Sequence, residues 1–459
     1  MTLSSLFILT GLLSGGPQEP PELLQTPFVQ LGEQSDAGVK SFAITWQTND
    51  VDAKYELTYS QGNAKKLAKT SFRTVRVEGI AAHRVYQATI SGFRSGSPVR
   101  YTLTSPTANF TGEVAAPKSA RQDYSFVVFG DCGIGNKEQA KIAYQTYLQK
   151  PDLIVLTGDI VYNDGRISEY RKNFYPYYAT KVADPNVGAP LLSRSLFVGV
   201  PGNHDILNRD LGRYPDGLAY YHYWHQPLNG PLRKGQESTP TLTGPLARQE
   251  AFESGAADRY PRMSNFSFDY GNAHWTVLDA NRYVNWNDPK LRAWLAADLK
   301  AARKKTWRFV TFHQPGFHSS DSHQGEKQMR AVASIFEEGK VDIVFSGHVH
   351  NYQRTFPIQV GDKAGAPQAE LEKDNWPVDK AFDGNKVTRA NGVLYIVDGG
   401  GGARLYEKDF GNQPEKWKPF QQKYVGEHCF STIKVSGKKL TLVQINVDGK
   451  EVDRMVVTK

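Results

Sequence analysis

The chain has 459 residues, 39% of them hydrophobic and 22% charged, which is the composition of a globular protein with two or three domains. No apolar run reaches the roughly 18 residues of a membrane-spanning helix, and the sequence contains no nucleic-acid-binding motif. The formal charge of +8 comes from scattered basic residues, which favour either anionic substrates or only a solvated basic surface. The two cysteines, Cys132 and Cys429, are too few for a disulfide framework, and the sequence leaves their pairing open.

Residues 1–22 predict a signal peptide followed by a linker. An apolar stretch at 6–13 precedes small residues and prolines, as in the apolar region of a secretory signal. No Lys or Arg comes before that stretch, and no clear cleavage site comes after it. The interpretation is a secreted or periplasmic protein.

Residues 23–117 predict an all-β sandwich. Hydrophobic and polar residues alternate with a period of two, as at Phe42, Ile44 and Trp46, and turn residues separate the short runs. The segment contains no cluster of chemically useful side chains. Its predicted role is therefore to scaffold or cover a neighbouring domain.

Residues 121–459 predict an α/β domain. Short apolar runs, typical of buried strands, alternate with helix-like segments at 137–150, 288–305 and 326–338. The C-terminal tail alternates again and predicts an antiparallel meander. An irregular insertion at 206–262, rich in Tyr, Pro, Gly and His, is a candidate lid or specificity loop.

Metal-ligating side chains follow the apolar runs of this domain. Carboxylate, amide and imidazole groups at strand ends converge at one edge of a sheet, and together they suit hard to borderline metal ions. The His-x-His pair suits two metals about 3.5–4 Å apart, because each metal can take one imidazole. Any single site is compatible with a helix cap or a core residue, but the set favours a metal centre. The five sites are Asp131, Asp159, Asn203-His204, His313 and His348-x-His350.

These sites resemble the five ordered sequence blocks of the calcineurin-like metallophosphoesterases. Tyr162 is similar to the tyrosine of the purple acid phosphatase branch, and the leading sandwich resembles the fibronectin-III-like domain of that branch. The resemblance implies a β-sandwich of mixed sheets flanked by helices over residues 121–459. The blocks are Gly130-Asp131-Cys132-Gly133, Gly158-Asp159-Ile160-Val161-Tyr162, Gly202-Asn203-His204-Asp205, Val310-Thr311-Phe312-His313 and Gly347-His348-Val349-His350.

The resemblance further implies a dinuclear centre in which Asp159 bridges the metals. In this branch the first metal is Fe(III), and the second is Fe(II), Zn(II) or Mn(II). A phenolate is a hard donor that suits a ferric ion. The first metal would take Asp131, Asp159, Tyr162 and His350. The second would take Asp159, Asn203, His313 and His348.

The implied reaction is that of an acid phosphatase, in which a metal-bound hydroxide attacks a phosphate monoester. The leaving group needs a proton or a cationic donor, and His204 and His323 are the candidates for both catalysis and substrate binding. Arg354 is expected to pair with either the phosphate or a structural carboxylate.

Four further histidines have less support as site residues. We expect His274 to be buried with satisfied partners, since it lies in a strand-like run. An exposed loop position is the simpler interpretation of His318, and His222 and His225 are weak candidates for lining the insertion.

Two alternatives to a monoesterase are open. The same metal centre would also suit a phosphodiester, nucleotide or pyrophosphate substrate selected by the 206–262 insertion. A catalytically idle binding module is the third interpretation, although it has no reason to keep every metal ligand. The expected substrate is a phosphorylated small molecule or phosphoprotein, and the sequence leaves the oligomeric state open.

Overall fold

Within the described residues, every regular element of the N-terminal region is a strand. The computed structural model describes residues 19–107, 109–231 and 241–459. The predicted signal peptide therefore lies largely outside the described residues. The strands of this region are β1 (Leu23–Gln30), β2 (Ser41–Asn49), β3 (Glu56–Gln61), β4 (Ala64–Leu67), β5 (Lys69–Val75), β6 (His83–Ser91), β7 (Pro98–Thr104) and β8 (Asn109–Ala115).

The larger α/β region begins with three parallel strands. These are short and apolar because both of their faces are buried. Residues 116–123 connect the two regions, and the domain boundaries remain a prediction. The elements up to the insertion are β9 (Tyr124–Phe129), α1 (Lys137–Gln149), β10 (Leu153–Leu156), α2 (Ile167–Glu169), a π-helical turn (Tyr170–Phe174), α3 (Tyr175–Tyr178), β11 (Ala179–Asp184), β12 (Gly188–Pro190) and β13 (Leu196–Gly199).

The described residues in the middle of the chain form five α-helices and the first three strands of a second sheet. Helix α8 confirms the helix predicted at 288–305, and Asp288 caps it by accepting from the Lys290 N–H. The elements are α4 (Asn203–Ile206), α5 (Ala219–Tyr223), α6 (Leu246–Ala256), α7 (Arg259–Arg262), β14 (Phe266–Tyr270), β15 (Ala273–Val277), α8 (Pro289–Ala301), a 3-10 turn (Ala302–Lys304) and β16 (Trp307–Thr311).

The remainder completes both sheets and ends in the predicted antiparallel meander. The elements are a 3-10 turn (Gln328–Val332), α9 (Ala333–Glu338), β17 (Ile343–Ser346), β18 (Tyr352–Thr355), a 3-10 turn (Gly361–Lys363), α10 (Gln368–Leu371), β19 (Leu394–Asp398), 3-10 turns (Lys408–Asn412, Pro414–Lys416), β20 (Gln421–Val425), β21 (Cys429–Ser436), β22 (Lys439–Asn446) and β23 (Glu451–Thr458).

The prediction of a helix over residues 326–338 is wrong for the first half of that range. Residues 326 and 327 precede any helix, and 328–332 form only a 3-10 turn before α9. The reason is a tight turn in which the Glu326 N–H donates to the His323 carbonyl over 2.9 Å, with His323 at a positive φ of 63°. This turn brings the side chains of 323 and 326 together.

Two large sheets pack face to face and carry helices on their outer sides. The first has the order β23-β22-β21-β9-β10-β13-β1-β2-β6-β5, and the second has the order β14-β15-β16-β17-β19-β18-β20. Between them, the rings of Phe126 and Trp275 meet edge to face with centroids 5.1 Å apart. Alternate residues point outward. There Val127 shares a hydrophobic cluster with Ile142 of α1, and Val310 shares another with Leu295 of α8.

The N-terminal strands continue the first large sheet. Strand β1 pairs in parallel with β13, with Gln30 opposite Phe197. The remaining N-terminal strands form a smaller sheet in the order β4-β3-β7-β8. One hydrophobic core runs through both regions, from Trp46 and Leu103 to Val155 and Ile396.

The aromatic part of the insertion is buried and does not form a lid. Residues 218–226 lie between the N-terminal strands and the α/β region. The Gln30 amide donates to the Tyr223 carbonyl over 3.0 Å, and the His225 N–H donates back to the Gln30 amide oxygen over 2.8 Å. His222 is fully buried beside Phe252, so the lid interpretation is wrong for this segment. Residues 232–240 of the insertion lie outside the described residues.

Cys132 and Cys429 are both free and buried, and burial raises the pKa of each thiol. A buried free cysteine behaves as a small apolar residue. The helices of the described residues are all too short or too polar to cross a membrane.

His274 in β15 is held between two carboxylates, as predicted for a satisfied buried histidine. Its Nδ1 lies 2.8 Å from Asp269, and its Nε2 lies 3.0 Å from Asp298. Burial alone would lower the pKa of the imidazole, but the hydrogen bonds and charges of the two carboxylates raise it to about 9. The imidazolium is therefore the folded-state form at neutral pH.

We expect His274→Gln to reduce the free energy of unfolding more at pH 6 than at pH 10. The folded pKa lies above the unfolded value of about 6.5, so the ion-pair contribution is complete below pH 6.5 and is lost as the pH rises through about 9. The difference is on the order of 3 kcal/mol. Urea unfolding at both pH values measures it. Thr276→Val, which removes a non-titrating donor to Asp298, is the control, and an equal His274→Gln effect at both pH values would contradict the assignment.

Candidate metal centre

The five predicted strand-end sites meet at the carboxyl ends of the two large sheets. Three of their residues adopt left-handed backbone conformations, with φ of 58° at Asp131, 49° at Asp159 and 67° at His348. Such conformations are uncommon for residues other than glycine and concentrate at functional sites. The chain therefore turns sharply after each strand and points the side chains of these residues toward a common centre.

The first group consists of Asp131, Tyr162 and His350 together with the Asp159 carboxylate. The Tyr162 hydroxyl donates to Asp131 Oδ1 over 3.1 Å and lies 3.2 Å from His350 Nε2, which is itself 3.3 Å from Asp131 Oδ1. The other ring nitrogen of His350 lies 2.7 Å from the Arg404 carbonyl. That carbonyl fixes the imidazole so that Nε2 faces the carboxylate.

Asp159, His313 and His348 form the second group. His313 Nε2 lies 3.1 Å from Asp159 Oδ2, while its Nδ1 is held 2.7 Å from the Thr157 carbonyl. Ligand atoms of the three residues all lie within 4.8 Å of one another, and so do those of Asp131, Asp159 and His350. Asp159 is the residue common to both groups.

Asn203 begins α4 beside the shared carboxylate. Its neighbour His204 donates a backbone N–H to Asp159 Oδ1 over 2.9 Å. The Asn203 amide oxygen accepts from Gln314 at 3.4 Å, and Gln314 directly follows His313. The predicted amide ligand is thus tied to both the shared carboxylate and the second group.

Two glycines of the sequence blocks allow this close approach. A Cβ at Gly202 would lie 2.3 Å from Asp159 Oδ1, and a Cβ at Gly347 would lie 2.6 Å from Asp131 Oδ2. Both distances are well below van der Waals contact. A side chain at either position would displace a carboxylate.

The electrostatics of the centre call for a cation. Burial would raise the pKa of Asp159, but His313 and His204 hold it well below its ordinary range. Burial would lower the pKa of His313, but Asp159 and Asp131 raise it to about 10. Positive charge is thus strongly favoured between the two carboxylates, since a buried unpaired carboxylate is costly.

The donor set fits metal ions. His313 Nε2 is fully buried and has no hydrogen-bond partner among the described residues. Carboxylate, imidazole and phenol groups suit hard to borderline cations. Burial and the charges of Asp131 and Asp159 raise the pKa of Tyr162, so its phenol loses a proton only where a cation replaces it.

His204 and His323 lie at the mouth of the centre, outside both groups. His204 Nδ1 is 2.6 Å from the Asn163 carbonyl, its Nε2 is 3.9 Å from Asp159 Oδ2, and its side chain is 33% exposed. His323 is 29% exposed, and its ring centroid lies 4.0 Å from that of His348. Each histidine can therefore contact both solvent and the centre.

The remaining predicted residues lie elsewhere. Arg354 is 4% exposed and pairs with Asp453 at 2.8 Å. Of the two predicted partners, phosphate or a structural carboxylate, it therefore binds the carboxylate. His318 is buried, which lowers its pKa to about 3, and the expectation of an exposed loop position is wrong. His225 is also buried, 3.1 Å from Arg73.

Sequence reasoning missed two carboxylates near the centre. Asp205 accepts backbone N–H groups from Ile160 at 3.1 Å and Gly202 at 2.9 Å, and so joins two of the ligand loops. Glu326 lies 3.1 Å from His348 Nε2. Asp205 stands within a sequence block, which is a signal of its position, whereas Glu326 was read as part of a helix.

The chain is similar in sequence to known phosphoesterases. The family model described as Calcineurin-like phosphoesterase matches residues 124–352. Purple acid phosphatase 18 of Arabidopsis thaliana is 24% identical over 375 residues, which cover 75% of this chain and 71% of that protein. Purple acid phosphatase 21 of the same plant is 40% identical over 98 residues, 20% of this chain and 22% of that protein.

The solved purple acid phosphatase PPD1 from yellow lupin (Lupinus luteus) seeds has a similar fold. Its TM-score is 0.65 at 16% identity, covering 94% of this chain and 74% of that one. The matches confirm the predicted fold class, the predicted family resemblance and the prediction of a phosphoester-hydrolysing enzyme.

We expect Asp159→Asn to lower the metal content of both sites, because its carboxylate belongs to both ligand groups. Asn203→Ala should empty mainly the second site. Metal analysis of gel-filtered protein measures both effects, and the melting temperatures of the metal-free variants control for folding. Loss of a single metal from Asp159→Asn would contradict the shared position.

Proposed function

We propose that the protein hydrolyses phosphate monoesters. The premise is that the chain belongs to the calcineurin-like phosphoesterase family and its purple acid phosphatase branch. The supporting observation is the Asp159 carboxylate, which is common to two groups of candidate metal ligands. Metal-dependent phosphoester hydrolysis is the chemistry of this family. The preference for monoesters, the ligand assignments and the identity of the metals are parts of the proposal.

The proposed centre holds Fe(III) at the first site and Fe(II), Zn(II) or Mn(II) at the second. When bound, two such ions activate a water molecule and neutralise the phosphate oxygens. The chain's own residues fix where the ions lie. Asp131, Asp159, Tyr162 and His350 would hold the first ion. Asp159, Asn203, His313 and His348 would hold the second.

His204 and His323 are proposed to act on the substrate. Their imidazoles border the centre without belonging to either ligand group, and each is partly exposed. An N–H there can donate to a phosphate oxygen or deliver a proton to the leaving group. The carbonyl of Asn163 holds His204 Nδ1, which leaves Nε2 to face the cleft. Arg354 has no part in this proposal, since its guanidinium is occupied by Asp453.

A phosphodiester, nucleotide or pyrophosphate substrate is the alternative for the same centre. For the proposed monoesterase activity, the expected substrates are phosphorylated small molecules or phosphoproteins. The buried position of residues 218–226 weakens the case for selection by the insertion, because that segment packs against the N-terminal strands.

We also propose that the protein is secreted or periplasmic, and that residues 23–117 and 121–459 are two domains that depend on each other through the shared sheet. The support for export is the apolar stretch at 6–13. N-terminal sequencing of the mature protein tests the export proposal.

A substrate panel tests the function and the two histidines together. We expect the metal-loaded enzyme to cleave aryl and alkyl phosphate monoesters with higher kcat/KM than the matching diesters. His204→Ala and His323→Ala should each lower kcat for alkyl esters by about 10²–10⁴-fold with both metals retained. The loss should be smaller for aryl esters, whose leaving groups hardly need a proton.

Two results of the panel would count against these assignments. A preference for diesters would overturn monoester hydrolysis. Equal losses on aryl and alkyl phosphates would mean that the histidines bind phosphate without moving a proton.

Tyr162 gives the iron assignment a visible signature. A phenolate bound to Fe(III) absorbs visible light, so we expect the iron-loaded protein to be coloured and Tyr162→Phe to be bleached. Activity should fall less than colour, because the phenolate tunes the metal and does not attack the substrate. Absorption spectra and circular dichroism of both proteins measure colour and fold. A colourless, iron-replete, oxidised wild-type protein would point to two divalent ions.

A further inference from the structure

Glu326 lies between two residues of the proposed mechanism. Its Oε2 is 3.1 Å from Nε2 of His348, and its Oε1 is 3.2 Å from Nδ1 of His323. The Arg282 guanidinium donates to Oε1 over 2.6 Å from the solvent side. The Glu326 side chain is 13% exposed, so it is more deeply placed than a surface ion pair.

The position of Glu326 Oε2 determines how His348 can bind a metal. A carboxylate accepts the proton of the ring nitrogen that faces it, and this leaves the lone pair on the other nitrogen. Nε2 of His348 lies 3.1 Å from Glu326 Oε2 but makes no hydrogen bond of good geometry among the described residues. If a metal takes Nδ1, the ring proton stays on Nε2, where this carboxylate is placed to accept it. His348 belongs to two groups of possible ligand residues, one with Asp159 and His313 and the other with Glu326 and His323.

The second oxygen of Glu326 holds His323 in the same way. Nδ1 of His323 faces the carboxylate, so Nε2 is left for the substrate. The backbone reinforces this arrangement, because the turn between His323 and Glu326 is closed by a 2.9 Å hydrogen bond. One carboxylate therefore contacts a metal ligand with one oxygen and a proton donor with the other.

We propose that Glu326 is a positioning residue that fixes the ring orientation of His348 toward the second metal and of His323 toward the substrate. This inference rests on the proposed function for the part that concerns His323. The part that concerns His348 needs only that the second site binds a divalent ion. A simple structural ion pair with Arg282 is the competing explanation, and Arg282 offers the control because its side chain is 71% exposed.

The test compares Glu326→Gln and Glu326→Ala with Arg282→Ala. The amide of Gln keeps the size of the side chain but has one acceptor oxygen, so it cannot accept from both imidazoles. Zn²⁺ binding at the second site is measured by competition with a chelator, beside the melting temperature of the metal-free protein and kcat and KM for alkyl and aryl phosphates. We expect both Glu326 variants to bind the second ion about 10–100-fold more weakly. The first ion and the metal-free melting temperature should be unchanged.

Arg282→Ala should keep Zn²⁺ affinity within about threefold, since exposed ion pairs contribute little. With saturating metal, the Glu326 variants should still lose kcat on alkyl esters more than on aryl esters, and adding His323→Ala should then cost little more. Wild-type Zn²⁺ affinity in Glu326→Gln, or an equal loss in Arg282→Ala, would overturn the proposal. If the wild-type protein bound two metals but cleaved no monoester, the proposed function would fail while the affinity measurement still decided the role of Glu326.

Discussion

The burial of the Asp159 carboxylate constrains most of this structure. Its charge lies at the end of β10, away from water, and it can persist there only beside positive charge. The His313 imidazolium from the other sheet supplies that charge in the protein alone, and metal ions would supply it in the proposed enzyme. The sharp turns after the strands and the glycines at 202 and 347 bring backbone and side chains close to the Asp159 and Asp131 carboxylates.

The ligand groups could be predicted from sequence because each depends on local order. A short apolar run predicts a buried strand, and a polar residue directly after it must lie at the strand end. Asp131, Asp159 and His313 follow this rule, and the structure brings them together. The C-terminal meander could also be predicted from local sequence, because hydrophobic and polar residues alternate with a period of two along each of its strands.

Glu326 and Arg354 show where such reasoning stops. Glu326 stands in a segment with helical periodicity, yet its turn depends on His323 at positive φ and on His348, which lies 22 positions later. Arg354 follows His350 closely, but its partner Asp453 lies 99 residues later, on the last strand. In both cases the position of the side chain depends on contacts with a distant segment of the chain. A local sequence pattern does not reveal such contacts.

The shared sheet has a consequence for how the two regions depend on each other. Strand β13, which leads to Asn203, is covered on its outer edge by β1 from the N-terminal region. If the chain were cut at residues 116–123 and the N-terminal strands were removed, the edge of β13 would be exposed. Unpaired backbone groups at an exposed strand edge pair with other chains and promote aggregation. The N-terminal strands thus cover the edge of the sheet that carries the candidate metal ligands Asp131, Asp159 and Asn203. The smallest unit that could be excised intact is therefore larger than the segment that contains the candidate ligands.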